Sequence, residues 1–172
     1  LQGDYGLLFK GPYHTDSLMR LPLIWRPAPS AQVAPAVVTT PVGLVELAPT
    51  FCAIAGIEAP YYLQATPLPV DDADASARGK ERVLTEWDSE LWGVAVHLRT
   101  ITRDGWVCTA YRPGYVHDGT EGELYHLGDD PLQHENRWND PAVASLQSDL
   151  VADLWDHQPV AHSPRLDVEA PV

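Results

Sequence analysis

Lys10 is the residue whose type and setting best suit chemistry on an anion. It follows the apolar run Leu-Leu-Phe and precedes a Gly-Pro pair, and two further glycines, Gly3 and Gly6, come shortly before it. Glycines permit tight backbone turns, and a compact ammonium on a fixed backbone suits an anionic oxygen. The alternative reading from these residues alone is a surface lysine beside a buried loop. Lys80 is the other lysine of the chain.

His14 is the second candidate, because it lies four residues after Lys10. We expect it to face the same pocket and to bind substrate there. The seven histidines and two cysteines are scattered, and they show neither a His-x-x-x-His spacing nor a cysteine pair. Zinc sites require such ligand spacings, so we predict no metal ligands in this chain. The cysteines are expected to be free, buried thiols.

The charge of the chain limits its partners. Its 24 acidic residues outnumber its 11 basic ones, which gives a formal net charge of −13. A basic footprint for nucleic acid or for an anionic membrane is absent, so neither partner is predicted. An anionic substrate then requires a local positive site. The sequence shows no signal peptide and no apolar run of the roughly 18 residues that a membrane span needs, and it assigns no compartment.

The first 80 residues are predicted to be mostly irregular. A helical turn is expected near residues 16–19, and the apolar run at residues 21–26, bounded by prolines, favours a strand covered on both faces. Residues 37–39 are a second, shorter strand candidate. A helix is expected over residues 46–55, with Gly56 as its C-terminal cap. Residues 57–80, rich in proline and then in acid, are predicted to be surface loop and a boundary between subdomains.

The second half of the chain shows strand patterns. Candidates lie at residues 83–87, 94–103, 106–112 and 123–127, and the Asp104-Gly105 pair is a strong signal for a hairpin. Asp140 and Pro141 are typical of a helix start, and apolar residues then recur at spacings of three and four up to about His157. We therefore predict a four-stranded antiparallel sheet with one helix on one face, and an extended tail over residues 158–172.

Three ordered motifs resemble the sulfatase family of the alkaline-phosphatase-like superfamily. The first is Gly-Asp-Tyr-Gly-Leu-Leu-Phe-Lys-Gly-Pro at residues 3–12, followed by Leu-Pro-Leu-Ile-Trp-Arg at 21–26. The second is Val-Glu-Leu-Ala-Pro-Thr at 45–50, which closes with Ala-Gly-Ile at 55–57. The third is Glu-Leu-Tyr-His-Leu at 123–127 with Asp130, Pro131 and Asn136. The family's Asp in the second motif is Glu46 here, and its Asp in the third is His126.

The resemblance implies an α/β fold, with α+β character in this fragment. Residues 1–80 would be the incomplete C-terminal end of the catalytic α/β domain, with its closing strand and helix. Residues 81–157 would be the C-terminal sheet-and-helix subdomain, and 158–172 the tail. Lys10 would contact the sulfate and the leaving-group oxygen during metal-assisted hydrolysis of a sulfate ester.

The family's nucleophile motif, Cys/Ser-x-Pro-Ser-Arg, and its metal-binding aspartates have no counterpart in this sequence. The resemblance therefore implies the C-terminal part of a sulfuric ester hydrolase that is inactive alone. It also implies a divalent metal, calcium or magnesium, and a missing N-terminal half of the same enzyme. The substrate would be a small-molecule or glycan sulfate ester.

Two other functions are compatible with the same residues. A phosphodiesterase or phosphonate monoester hydrolase of the same superfamily would use the same lysine on a different ester. A non-catalytic module that binds a glycan or a protein would instead use the C-terminal sheet, with Trp92 or Trp138 as an exposed contact.

Overall fold

The computed structural model describes residues 1–91 and 93–157. Four strands form one antiparallel sheet in the order β1-β2-β3-β4; they are β1 Arg82–Leu91, β2 Val94–Arg103, β3 Trp106–Tyr111 and β4 Gly122–His126. The described residues also form four α-helices: α1 Asp16–Met19, α2 Leu47–Ala55, α3 Asp72–Ala77 and α4 Ala144–Asp156. Short 3-10 turns precede α2 and α4, at Leu44–Glu46 and Pro141–Val143. The predicted four-stranded sheet with one covering helix is confirmed. The predicted tail lies outside the described residues.

The hairpin between β2 and β3 sets the register of the sheet. Asp104 and Gly105 both have positive φ, 53° and 78°, as the two central residues of a type I′ turn require. Arg103 therefore pairs with Trp106, and Ile101 and Cys108 face each other on one side of the sheet. Side chains alternate between the two faces of a strand, so this register decides which residues enter which side of the core.

Helix α4 covers one face of the sheet. Its Leu150 and Leu154 are fully buried against Ile101, Cys108 and Leu124. The helix entry is capped as the sequence predicts, because the Asp140 carboxylate accepts a hydrogen bond from the Ala142 N–H at 2.8 Å. Helix and sheet are also joined by charge at Asp153, whose carboxylate accepts from Arg82 Nε at 3.0 Å and from Arg103.

The N-terminal segment packs against the opposite face. His14 is buried and hydrogen bonds to Thr100 in the centre of β2, with 2.7 Å between Nδ1 and Oγ1. Two residues later, the Asp16 N–H donates to the buried Gln133 side chain at 2.5 Å. Both faces of β2 are therefore covered at its centre. These contacts link residues 1–80 to the rest of the chain; the division of the chain at residue 80 stays a prediction.

The region before β1 differs from the prediction at three places. Residues 21–26 form no strand, and their apolar side chains are exposed, with Ile24 at 94%. A strand needs a hydrogen-bonded neighbour, and the described part of the chain offers none to this segment. Residues 37–39 also form no strand. The predicted loop at 57–80 contains the short helix α3, which Asp71 caps by accepting from the Asp74 N–H at 2.7 Å.

The other expectations for helices and thiols are met with small changes. Helix α2 ends at Gly56, which has a φ of 66° and fits the left-handed cap. Cys52 and Cys108 are both free, as predicted, but Cys52 is half-buried and only Cys108 is buried. Within residues 1–91 and 93–157, no helix is long and apolar enough to cross a bilayer.

Candidate functional site

The Lys10 loop is a small closed structure at the start of the chain. The Leu1 amino group donates to the Phe9 carbonyl at 3.0 Å, and the Phe9 N–H returns a bond to the Leu1 carbonyl at 3.1 Å. Inside this pair, the Gly3 N–H donates to the Leu7 carbonyl at 3.0 Å. Phe9 adopts a φ of 72°, which is unusual for a residue with a Cβ. Lys10 therefore follows directly after a hydrogen-bonded turn, as the glycine-rich sequence predicts.

The two lysines of the chain have opposite surroundings. Lys10 is exposed, and its ammonium pairs with no carboxylate of the described residues. Lys80 donates instead to the buried carboxylate of Glu46 at 2.6 Å. In a chain with a net charge of −13, an ammonium without a carboxylate beside it is a local positive site open to an anion. Its role in catalysis stays a prediction.

His14 is held in the interior rather than on an open surface. Its side chain is only 4% exposed, and Thr100, the partner of Nδ1, in turn hydrogen bonds to Thr109 at 2.7 Å. Burial, with a further contribution from the positive charge of Arg99, lowers the pKa of His14 to about 4. His14 is therefore neutral at neutral pH. It anchors the segment that follows Lys10, and the proposal that it binds substrate stays a prediction.

Tyr13 stands between Lys10 and His14 in the sequence, and the sequence alone did not mark it as a site residue. A Cβ added to Gly11 would be 2.4 Å from Tyr13 Cε2 and 3.0 Å from Cδ2, so the phenol ring lies directly over the glycine backbone. The Tyr13 N–H also donates to the Gly11 carbonyl at 2.8 Å. The side chain is 40% exposed. The only sequence signal for this arrangement is the glycine placed two residues before an aromatic residue.

Trp138, one of the two tryptophans expected at an exposed contact, does not provide an open one. Trp138 is half-buried beside the core, and its indole Nε1 donates to the Thr120 carbonyl at 3.1 Å. That prediction was wrong for Trp138, because the indole fills the space above Gly122, where a Cβ would be 2.5 Å from the ring. Trp92 lies outside the described residues.

A separate open cavity of about 280 Å³ adjoins the third motif. It is lined by His126, Asp129, Asp130, Glu135, Arg137 and Asp140. Most of these polar groups are already engaged. His126 hydrogen bonds to Asp129, and Arg137 donates to Asp140. The backbone N–H groups of Glu135 and His134 hold the pKa of Asp130 below its usual range. These residues order the loop after β4.

The resemblance implies a divalent metal, and such an ion needs several ligating side chains close together. Among the residues that the structure describes, no group of three or more His, Cys, Asp or Glu side chains is arranged to hold an ion. Calcium and magnesium sites need several oxygen ligands. The described residues therefore do not fit a calcium or magnesium ion.

The chain is similar to solved structures, although it matches no protein-family model and none of the curated proteins. A protein assigned as a sulfatase from Bacteroides thetaiotaomicron VPI-5482 is 25% identical over 68% of this chain and 26% of its own, with a TM-score of 0.49. A 2-O GAG sulfatase is 25% identical over 68% and 27% of the two chains, also at 0.49. A third protein, solved in complex with its substrate D-glucosamine-2-N,6-O-disulfate, is 18% identical over 64% and 22%, at 0.50.

These likenesses concern the fold of one part of larger proteins. The chain spans about a quarter of the length of the three solved structures. The third likeness shows a shared fold over about two thirds of this chain. Two of the solved structures that are similar to this chain are described as sulfatases.

Proposed function

We propose that this chain is part of a sulfatase-type sulfuric ester hydrolase in which Lys10 contacts the sulfate and the leaving-group oxygen. The observation that carries the proposal is the exposed ammonium of Lys10, which has no neighbouring carboxylate among the described residues. Lys10 follows directly after a turn that is closed by hydrogen bonds between Leu1 and Phe9. The three motifs and the shared fold support the family, and they support it independently of the position of Lys10.

Hydrolysis of a sulfate ester is favoured by a cation that is fixed in position. Cleavage of a sulfate ester builds negative charge on the departing oxygen, and a fixed positive charge stabilises it without reorganisation during the reaction. The turn at residues 1–9 restrains the backbone before Lys10, and the buried His14 restrains it afterwards. A lysine restrained on both sides is better placed to meet a developing charge than one on a mobile tail.

The remaining parts of the reaction belong to another part of the same enzyme. We propose that a larger catalytic portion supplies the nucleophile and the divalent metal, calcium or magnesium, whose ligands are not found among the described residues. Two exposed apolar segments support such a partner: residues 21–25, and the outer face of α2 with Phe51 at 63% and Ile54 at 61% exposure. A helix that is apolar on most faces is normally buried against other protein.

The substrate class that we propose is a sulfated carbohydrate. One structure that shares the fold holds D-glucosamine-2-N,6-O-disulfate as its substrate. The chain itself contributes a local cation for the sulfate, against an overall field that would repel an anion.

The proposal is tested by anion binding to the purified chain. Inorganic sulfate and an aryl sulfate are titrated by calorimetry against the wild-type chain, Lys10→Ala and the control Arg26→Ala, which removes another exposed cation of the N-terminal region. Lys10→Ala should weaken both ligands about tenfold, or about 1.4 kcal/mol, and Arg26→Ala should not. Equal affinities for all three proteins would reject the role of Lys10. A phosphate ester that binds more tightly than the sulfate ester would favour the phosphodiesterase alternative.

A further inference from the structure

The aromatic ring of Tyr13, three residues after Lys10, has a position that its packing alone does not explain. Tyr13 lies over Gly11, with its ring edge where a Cβ would otherwise be, yet 40% of the side chain remains exposed. A buried packing residue would be covered, and a free surface residue would not need a glycine beneath it. The ring is therefore both fixed and open to solvent.

The backbone at Tyr13 is restrained on each side. The Tyr13 N–H donates to the Gly11 carbonyl at 2.8 Å, and the next residue, His14, is anchored to Thr100 at 2.7 Å. The position from which the ring projects is therefore held by these contacts.

We propose that Tyr13 is a specificity-determining residue whose ring stacks on the pyranose of a sulfated sugar while Lys10 holds the sulfate. This inference rests on the proposed function of Lys10. The C–H groups on a pyranose face are apolar, so covering them with an aromatic ring removes apolar surface from water. A tyrosine suits this role because its ring is apolar and its hydroxyl stays in water beside the hydroxyls of the sugar.

A substitution at Gly11 can displace the ring of Tyr13 without removing it. An alanine here would place its Cβ 2.4 Å from Tyr13 Cε2, so the ring must move away. The ring is the free end of a side chain and can move without disturbing the backbone. Gly11→Ala therefore keeps the tyrosine and removes its placement, whereas Tyr13→Phe keeps the placement and removes only the hydroxyl.

The test is a titration of the full chain with three probes: glucosamine 6-sulfate, phenyl sulfate and inorganic sulfate. Tyr13→Ala and Gly11→Ala should both weaken glucosamine 6-sulfate about tenfold, and both should leave inorganic sulfate unchanged. Tyr13→Phe should bind all three probes as the wild type does. Tyr61→Ala, which removes a fully exposed tyrosine elsewhere, is the matched control and should change nothing. Thermal unfolding of each variant confirms that it is folded.

The outcomes separate this inference from the proposed function. If Lys10→Ala weakens inorganic sulfate but Tyr13→Ala leaves glucosamine 6-sulfate unchanged, the stacking role is rejected and the role of Lys10 stands. If Lys10→Ala changes nothing, the proposed function fails first. Equal losses for phenyl sulfate and glucosamine 6-sulfate in Tyr13→Ala would overturn the assignment to a sugar, and so would a wild-type chain that does not bind glucosamine 6-sulfate.

Discussion

Lys80 donates to the carboxylate of Glu46 at 2.6 Å, and this contact joins the residues that precede β1 to the entry of α2. Glu46 is 2% exposed, and its second oxygen accepts from the Gly43 N–H at 2.6 Å. Both carboxylate oxygens of a buried charge are thus engaged. The pair ties the second sulfatase-like motif to a residue two positions before β1, and it explains why one of the two lysines is not available to a ligand.

Replacing Lys80 by methionine should destabilise the chain strongly. The substitution leaves the Glu46 carboxylate buried without its cation, which costs about 3 kcal/mol, measured as the free energy of unfolding in urea. The double variant Lys80→Met/Glu46→Gln removes the charge as well and should recover part of the loss. Arg20→Met is the control, because the exposed Arg20 pairs at 3.7 Å with the half-buried Asp16 at the surface; surface pairs contribute at most about 1 kcal/mol. Similar losses for Lys80→Met and Arg20→Met would contradict the importance of the buried pair.

The pH dependence of the free energy of unfolding should reveal the lowered pKa of His14. Its pKa is about 4 in the folded chain and 6.5 in the unfolded chain, so the unfolded state takes up a proton first as the pH falls. The contribution of His14 to the free energy of unfolding is fully present above about pH 6.5. It is lost progressively as the pH falls towards 4. Between about pH 7.5 and about pH 5 the loss should be about 2 kcal/mol, measured by urea unfolding at each pH.

His14→Gln is the comparison for this titration. Glutamine can still hydrogen bond to Thr100 but does not titrate, so the stability of this variant should fall about 2 kcal/mol less over the same pH range. An identical pH profile for the two proteins would show that His14 is not held neutral by burial.

The elements of the second half could be predicted because their signals are local. The alternation in β2, the Asp104-Gly105 turn and the Asp140 cap each depend on neighbouring residues, and β2 has the predicted bounds, Val94–Arg103. The apolar run at 21–26 misleads for the same reason. An apolar run without alternation does not reveal whether a neighbouring strand exists, and in this structure Ile24 is exposed.

The site could be predicted only in part. The turn that carries Lys10 follows from its glycines, but the contact of His14 with Thr100 joins residues 86 positions apart. Sequence spacing puts His14 near Lys10 along the chain, and it does not reveal that the side chain turns into the sheet. The position of the Tyr13 ring over Gly11 depends on the direction of its side chain, which could not be predicted from the sequence.

Gly122 should not tolerate a side chain. A Cβ there would lie 2.5 Å from the ring of Trp138 and 2.6 Å from the Thr109 carbonyl oxygen in the neighbouring strand. Gly122→Ala should therefore cost about 1–3 kcal/mol by overpacking, and the Trp138 fluorescence should change as the indole is displaced. Gly43→Ala is the matched control, since its Cβ would meet Val45 and Val83 at an ordinary 3.6 Å. Equal unfolding free energies for the two variants would show that β4 shifts to accept the methyl group.

The exposed apolar segments should make the isolated chain self-associate. Ile24 is 94% exposed and Phe51 63%, and large apolar patches on a protein surface promote association. Sedimentation should show a mass that rises with concentration, and Ile24→Asp with Phe51→Asp should keep the chain monomeric at concentrations where the wild type associates. The free energy of unfolding should not fall, because neither side chain contributes to the core. Leu132→Asp, at a similarly exposed apolar residue beyond β4, should associate as the wild type does. If Leu132→Asp abolishes association and the pair at Ile24 and Phe51 does not, the interface lies on the sheet region, and the proposed contact with a larger catalytic portion loses its support.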